Sequence, residues 1–167
     1  KILGQLLDAG NTTTLSNYLN LLDTAGLLSG IEKYSPDLIR QRSSSPKFQV
    51  YNTALMSAQN DLTFQEIKMK PDLWGRWIES AVGAHLINSS RPGEFTVHYW
   101  RERNDEVDFV INYRGKVIAI EVKSGTRNKI SGMEAYKRKF PDCKVYLIGA
   151  SGLPVSRFLQ TSPVDLF

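Results

Sequence analysis

The sequence has little that would suit a secreted or membrane-spanning protein. It contains one cysteine, Cys143, which excludes an internal disulfide and fits a reducing compartment. Its apolar runs fall far short of the ~20 residues that a transmembrane helix needs. No charged-then-apolar leader opens the sequence. We therefore expect a cytoplasmic protein without a membrane partner.

Further absences narrow the possible chemistry. No G-x-x-x-x-G-K-[ST] motif occurs, so the chain has no P-loop with which to bind ATP. The histidines, His85 and His98, lack a second His or Cys at ligand spacing, which argues against zinc. No Ser or Cys nucleophile motif is present. We expect both histidines to be structural.

Charge is present but unevenly distributed. The chain has 21 basic and 17 acidic residues, a net charge of +4. Residues 123–144 hold seven basic residues against two acidic ones. Such a patch would attract a polyanion, although a solvated helix face is the alternative interpretation.

The first 55 residues show helical and then strand-like patterns. Residues 1–9 carry an apolar stripe, and a second helix begins at Thr12 or Thr13 and ends before Gly26, which suits a left-handed C-cap. Its expected buried face is Leu15, Tyr18, Leu19, Leu22 and Ala25. Two apolar stretches, 27–34 and 48–51, then form a predicted ribbon. This order predicts a winged helix-turn-helix over 1–55.

The winged helix has an unusual polar face for a DNA reader. Its second helix offers no basic residue, whereas Arg40, Arg42 and Lys47 lie in the predicted wing and could contact phosphates. We therefore expect a packing module more than a sequence-specific reader. A more polar segment, 56–70, is predicted to be a linker.

Residues 71–167 predict an α/β domain with a mixed sheet. A helix over 72–88 precedes three strands at 95–100, 107–112 and 116–123, and a helix, a strand and a short amphipathic segment follow. The order is αβββαβ. The predicted elements after the three strands are 129–140, 144–148 and 155–159.

The second and third of these strands predict a cluster of charged residues. If Arg114 and Gly115 are the central residues of a tight turn, Asp108 lies across from Glu121, and Glu106 lies across from Lys123. All four would share one sheet face. The opposite face would be core and consist of Val107, Phe109, Ile111, Ile118, Ile120 and Val122.

Neighbouring carboxylates repel each other unless a positive charge separates them. Lys123 could supply that charge as a plain ion pair, but a divalent cation does so more effectively, and Mg²⁺ prefers carboxylate oxygens. Glu79, in the middle of the preceding helix, is a possible third carboxylate. A nearby lysine can position an attacking water or offset charge on a phosphate.

These residues, in this order, resemble the PD-(D/E)XK nuclease superfamily, with Asp108 as its first acid, Glu121-Val122-Lys123 as its (D/E)XK motif and Glu79 as its helical glutamate. More narrowly, three segments resemble the C-terminal domain of a prokaryotic AAA+ ATPase family, whose members carry a winged helix-turn-helix before a nuclease-like part. The segments are 74–86, 99–110 and 118–125. The resemblance implies a restriction-endonuclease-like fold over 71–167, and an upstream ATPase domain through which alone ATP would bind.

Three functional hypotheses follow. The first is a Mg²⁺- or Mn²⁺-dependent DNA endonuclease, in which Asp108, Glu121 and Glu79 hold the metal and Lys123 positions water. The second is a non-catalytic interaction module that serves the upstream ATPase. The third is a winged-helix DNA-binding regulator. DNA would be held by Arg127, Lys129, Lys137, Arg138, Arg40 and Arg42.

Overall fold

The computed structural model of the protein describes residues 12–37, 44–90, 93–125, 131–149 and 151–167. The helices among these residues are α1 Thr12–Thr24, α2 Ala54–Ala58, α3 Phe64–Lys68, α4 Pro71–Ser90, α5 Ser131–Lys139, α6 Val155–Phe158 and a 3-10 helix Pro163–Leu166. None of the described helices has the length and apolar character of a membrane span. The helix predicted over 1–9 lies outside the described residues.

The described strands form one mixed, six-stranded sheet. They are β1 Leu28–Lys33, β2 Lys47–Val50, β3 Thr96–Glu102, β4 Asp105–Tyr113, β5 Lys116–Lys123 and β6 Lys144–Gly149. Their order across the sheet is β2-β1-β3-β4-β5-β6, with β1 parallel to β3 and β6 parallel to β5. The protein is therefore a mixed α/β protein, and the predicted order αβββαβ holds from α4 to β6.

Hydrophobic cores lie on both faces of this sheet. On one face, α4 packs Val82 and Leu86 against Phe109 and Ile120. On the other face, Tyr136 of α5 packs in a second cluster that contains Trp100, Val107, Val110, Ala119 and Cys143. Each fully buried large side chain contributes roughly 1.5–3 kcal/mol. The two layers hold the central strands β4 and β5 in place between them.

The prediction for Val107 is wrong. Val107 was expected to share a face with Phe109, but it lies in the core on the α5 side. The reason is a shift in the β3–β4 register, because His98 pairs with Val110 whereas Trp100 pairs with Val107. Two steps along β3 therefore span three along β4, which bulges at residues 108 and 109. Such a bulge reverses the side-chain alternation and re-aims the side chain at Asp108.

Helix α1 forms as predicted but packs differently. Gly26 takes a positive φ of 69° and ends the helix, and the Leu27 N–H donates to the Leu22 carbonyl. Tyr18 is 56% exposed, and Leu22 and Ala25 are also exposed, so this part of the predicted buried face is wrong. Leu19 of α1 packs against Gly30 of β1, and the Tyr51 hydroxyl donates to the Asp23 carboxylate on the same helix.

The segment predicted as a linker, 56–70, contains regular structure. It includes most of α2 and all of α3. Thr63 and Glu66 form a capping box at the start of α3, and Ile67 is buried. Phe64 packs edge-on against Trp74, with ring centroids 5.7 Å apart. These contacts attach α3 to α4.

Gly132 allows α5 to lie directly on β4. A Cβ atom on Gly132 would lie 1.9 Å from the Glu106 carbonyl oxygen, so the helix would have to move. We expect Gly132→Ala to lower the free energy of unfolding by about 1–3 kcal/mol, the usual cost of overpacking. Urea unfolding measures this change. The control is Gly125→Ala, where a Cβ atom meets nothing within 4 Å; equal stabilities of the two variants would contradict the close contact.

Candidate active site

The β4–β5 hairpin has the predicted register. Arg114 and Gly115 have positive φ angles of 49° and 81°, as the central residues of a type I′ turn require. The pairing runs from Tyr113 with Lys116 to Phe109 with Ile120. Beyond this pairing, Asp108 of β4 and Glu121 of β5 lie close enough for their charges to interact.

Side chains and backbone groups join the strands at this point. The Val122 N–H donates to Asp108 Oδ2 at 2.8 Å. The Asp108 carboxylate is thus positioned by a neighbouring main-chain group. Positions held by rigid strands are more exact than positions on loops.

Lys47 of β2 lies among the carboxylates. Its Nζ atom is 2.7 Å from Glu79 Oε1, 3.6 Å from Glu106 Oε1 and 3.7 Å from Asp108 Oδ1. We call the following four residues the acid cluster: Glu79, Glu106, Asp108 and Glu121. Lys47 was expected to face phosphates from the wing, but it points into the acid cluster. The spacing of charges within 71–167 carries no signal for this contact, since Lys47 precedes that part of the chain.

Strand β2 is seated on α4 by a second polar residue. Gln49 is 4% exposed, and its Nε2 donates to the Ser80 carbonyl at 2.9 Å. Gly83 makes room for it, because a Cβ atom there would lie 2.1 Å from Gln49 Oε1. Lys47 and Gln49 are two residues apart and so point to the same side of β2. Lys47 and Gln49 therefore form a polar side of β2, and this side faces α4.

Glu121 is the most deeply buried member of the acid cluster, at 5% exposure. Its Oε1 lies 2.5 Å from Lys123 Nζ. Its Oε2 is buried and has no hydrogen-bond partner among the described residues. Such an unsatisfied oxygen costs roughly 1–3 kcal/mol, and more for a charged group. The structure thus leaves one ligand atom of the predicted metal site without a partner.

Burial and mutual repulsion govern ionisation in the acid cluster. Burial, followed by the charges of Glu121 and Glu79, raises the pKa of Asp108 to about 7, although Lys47 opposes this. Burial also raises the pKa of Glu121, against the opposing effect of Lys123. Burial disfavours the Lys47 ammonium, but the nearby carboxylates outweigh it and raise the pKa of Lys47. The acid cluster therefore holds more negative charge than its two lysines offset.

The donor chemistry fits a divalent cation. When all groups are ionised, four carboxylates and the ammonium groups of Lys47 and Lys123 leave a charge of −2. Carboxylate oxygens are the ligands that Mg²⁺ and Mn²⁺ prefer. Within the described parts of the chain, however, no group of three or more His, Cys, Asp or Glu residues is placed so that it could hold a metal ion as the side chains stand. Lys47 engages the carboxylates instead.

The predicted DNA-binding residues are only partly described. Lys137 and Arg138 lie on α5, on the sheet face opposite α4, and Lys137 Nζ donates to the Cys143 carbonyl at 2.6 Å. Arg138 is exposed. The remaining predicted contacts lie outside the described residues: Arg40, Arg42, Arg127 and Lys129. The two members of this set that the structure describes, Lys137 and Arg138, make no contact with the acid cluster.

Both histidines have local partners. His85 Nε2 lies 3.0 Å from the Thr161 carbonyl, and His98 Nε2 lies 2.9 Å from Thr96 Oγ1. Cys143 is buried as a free thiol, and its Sγ donates to the Val117 carbonyl at 3.0 Å. These contacts agree with the structural roles predicted for the two histidines, although the buried His98 Nδ1 has no hydrogen-bond partner among the described residues.

Comparison with known proteins identifies a family. Neither the curated proteins nor the solved structures include a match to this chain. The model of the family described as Domain of unknown function (DUF4143) matches residues 74–157, about half of the chain. The matched range contains Glu79, Asp108, Glu121 and Lys123. It begins after Lys47 and so does not include that residue. The chain belongs to this DUF4143 family.

Proposed function

We propose that the chain is a Mg²⁺- or Mn²⁺-dependent phosphodiesterase module that cleaves DNA. The observation that supports this most is the proximity of Asp108 and Glu121 on neighbouring strands, with Lys123 beside Glu121. The orphaned Oε2 of Glu121 and the net negative charge of the acid cluster are the features that a divalent cation would satisfy.

Each residue has a distinct role in this proposal. Asp108 and Glu121 would hold the cation, and Glu79 would complete or orient the ligand set. The cation would supply a more acidic water and offset charge on the scissile phosphate. Lys123, whose ammonium is already positioned by Glu121, would orient the attacking water and stabilise charge on a phosphate oxygen.

The resemblance to PD-(D/E)XK nucleases and to AAA+ ATPase C-terminal domains extends the proposal. We propose that the residues from 71 onward adopt a restriction-endonuclease-like arrangement and that the N-terminal part is a winged helix. An ATPase domain upstream of the chain would then control access to DNA. The basic residues from Arg127 to Arg138 would hold the DNA backbone.

Calorimetric titration of Mn²⁺ tests the proposal directly. We expect the wild-type chain to bind Mn²⁺, and Glu121→Gln to bind at least about tenfold more weakly, because a central ligand charge is lost. Incubation of the same samples with DNA should show cleavage that follows binding. The matched control is Glu134→Gln, an exposed glutamate on α5, which should bind Mn²⁺ as the wild type does. Equal binding by Glu121→Gln and the control would refute the assignment.

One observation favours a second candidate, a non-catalytic module with the same fold. Lys47 already neutralises part of the acid cluster, as a structural cation would. In this case the cluster would hold the N-terminal ribbon to α4, and the surface would serve a partner such as the ATPase. Folded wild-type protein that binds no Mn²⁺ at millimolar concentration, and that cleaves no DNA, would favour this candidate.

A further inference from the structure

We propose that Lys47 is a tethered counter-cation that competes with a divalent metal ion for the acid cluster, so that the N-terminal ribbon sets the metal affinity of the site. This inference rests on the proposed metal-dependent function. It assigns a role to a residue that lies outside the range matched by the family model.

The Lys47 ammonium is surrounded by groups that interact favourably with a cation. Besides the three carboxylates, its Nζ donates to the Asp108 carbonyl at 3.4 Å and lies 5.1 Å from the centre of the Phe109 ring. Two of its carboxylate partners, Glu79 and Asp108, are residues to which we assign metal binding. Lys47 and the metal ion would therefore use the same oxygen atoms.

The backbone delivers Lys47 to this place. Lys47 pairs with Ile31 across the β1–β2 ribbon, and Gln49 fixes the same strand to Ser80 on α4. Because β2 is fixed to α4, the Lys47 ammonium is held near its carboxylate partners at a high effective concentration. It also loses less conformational freedom on pairing than an exposed lysine does. Lys47 is thus a far stronger competitor than a salt ion of the same charge.

Electrostatics determines the direction of the effect. A metal ion bound to Glu79 and Asp108 would lie next to the Lys47 ammonium, and two positive charges this close repel strongly in a partly buried site. The metal ion must therefore displace the ammonium of Lys47 from Glu79 and Asp108. Removal of the Lys47 charge should therefore strengthen metal binding. In the metal-free protein, removal of this charge should lower the stability of the fold, because the carboxylates lose their counter-ion.

Titration of Mn²⁺ into four forms of the chain tests this inference. We expect Lys47→Met to lower the dissociation constant by about tenfold or more, and Lys47→Arg to stay within about threefold of the wild type, because only the first removes the charge. Lys116→Met removes an equal charge from an exposed position at the start of β5 and should leave the constant unchanged. The metal-free Lys47→Met chain should melt at a lower temperature than the wild type.

A second measurement uses the wild-type chain alone. Amine labelling followed by mass spectrometry should show that saturating Mn²⁺ increases the labelling rate of Lys47 several-fold relative to Lys116. This measurement still tests the inference if Lys47→Met fails to fold, because it uses only the wild-type chain. An unchanged labelling rate with bound Mn²⁺ would overturn the inference.

The outcomes separate this inference from the proposed function. If the wild type binds Mn²⁺ and Lys47→Met binds it no more tightly, the competition is refuted and the proposed function stands. If Lys47→Met binds Mn²⁺ and the wild type does not, the competition is supported and the proposed function of the wild-type chain is overturned. If neither folded chain binds Mn²⁺, both are overturned.

Discussion

Replacing Lys123 by methionine should reduce DNA cleavage by about 10²–10³-fold, the usual effect of removing one group that stabilises transition-state charge. Mn²⁺ binding should stay as strong as in the wild type or become stronger, because the substitution removes a positive charge beside Glu121. The split between unchanged binding and lost cleavage is the signature of a group that acts on water or phosphate. Single-turnover cleavage at saturating Mn²⁺ measures the rate.

The matched control for this experiment is Lys116→Met, which removes the same charge from an exposed end of the same strand. We expect its cleavage rate to equal that of the wild type. Circular dichroism would establish that both variants are folded. Undiminished cleavage by Lys123→Met would exclude the catalytic role of Lys123, and a parallel loss of Mn²⁺ binding would instead indicate a purely structural role.

The central hairpin was predictable because its determinants are local. A two-residue turn at Arg114 and Gly115, together with alternating apolar residues, specifies which residues face each other. The observed pairing of Phe109 with Ile120 agrees with this prediction. Local pattern was therefore sufficient for the register of this hairpin as far as Phe109 and Ile120.

The contribution of β2 to the site was not predictable in the same way. Phe48 is 52% exposed whereas Gln49 is 4% exposed, which is the inverse of what hydrophobicity predicts for this strand. The inversion arises because the inward side of β2 meets Glu79 and Ser80, polar residues of α4 that lie 31 or more residues away in the sequence. Only the tertiary structure shows that Lys47 belongs to the acid cluster.

The bulge in β4 is a second feature that local pattern does not reveal. Simple alternation puts Val107 and Phe109 on one face, and the residues between the hairpin turn and Phe109 obey it. The extra residue appears only through the pairing of β4 with β3, its neighbour on the other side. Such bulges commonly occur next to functional sites, where they redirect a side chain. Here the redirected residue is Asp108.

Asp108→Asn should stabilise the metal-free protein at alkaline pH. Asp108 ionises with a pKa of about 7 in the folded protein, well above its ordinary value, so the folded state holds its proton more tightly than the unfolded state does. The stability contributed by this group is therefore complete below about pH 4 and is lost as the pH rises through 7. The asparagine variant has no such loss, and its Oδ1 can still accept from the Val122 N–H.

We expect Asp108→Asn to exceed the wild type by about 1–3 kcal/mol in free energy of unfolding at pH 8, and the difference to shrink towards pH 4. Urea unfolding in the presence of a chelator measures both values. Asp142→Asn, at an exposed turn, should show no pH-dependent difference from the wild type. Added Mn²⁺ should then stabilise the wild type and not Asp108→Asn, because only the wild type keeps both ligand charges. A less stable Asp108→Asn at pH 8 would mean that Lys47 more than offsets the repulsion within the acid cluster, and that the cluster has no excess charge for a metal ion to neutralise.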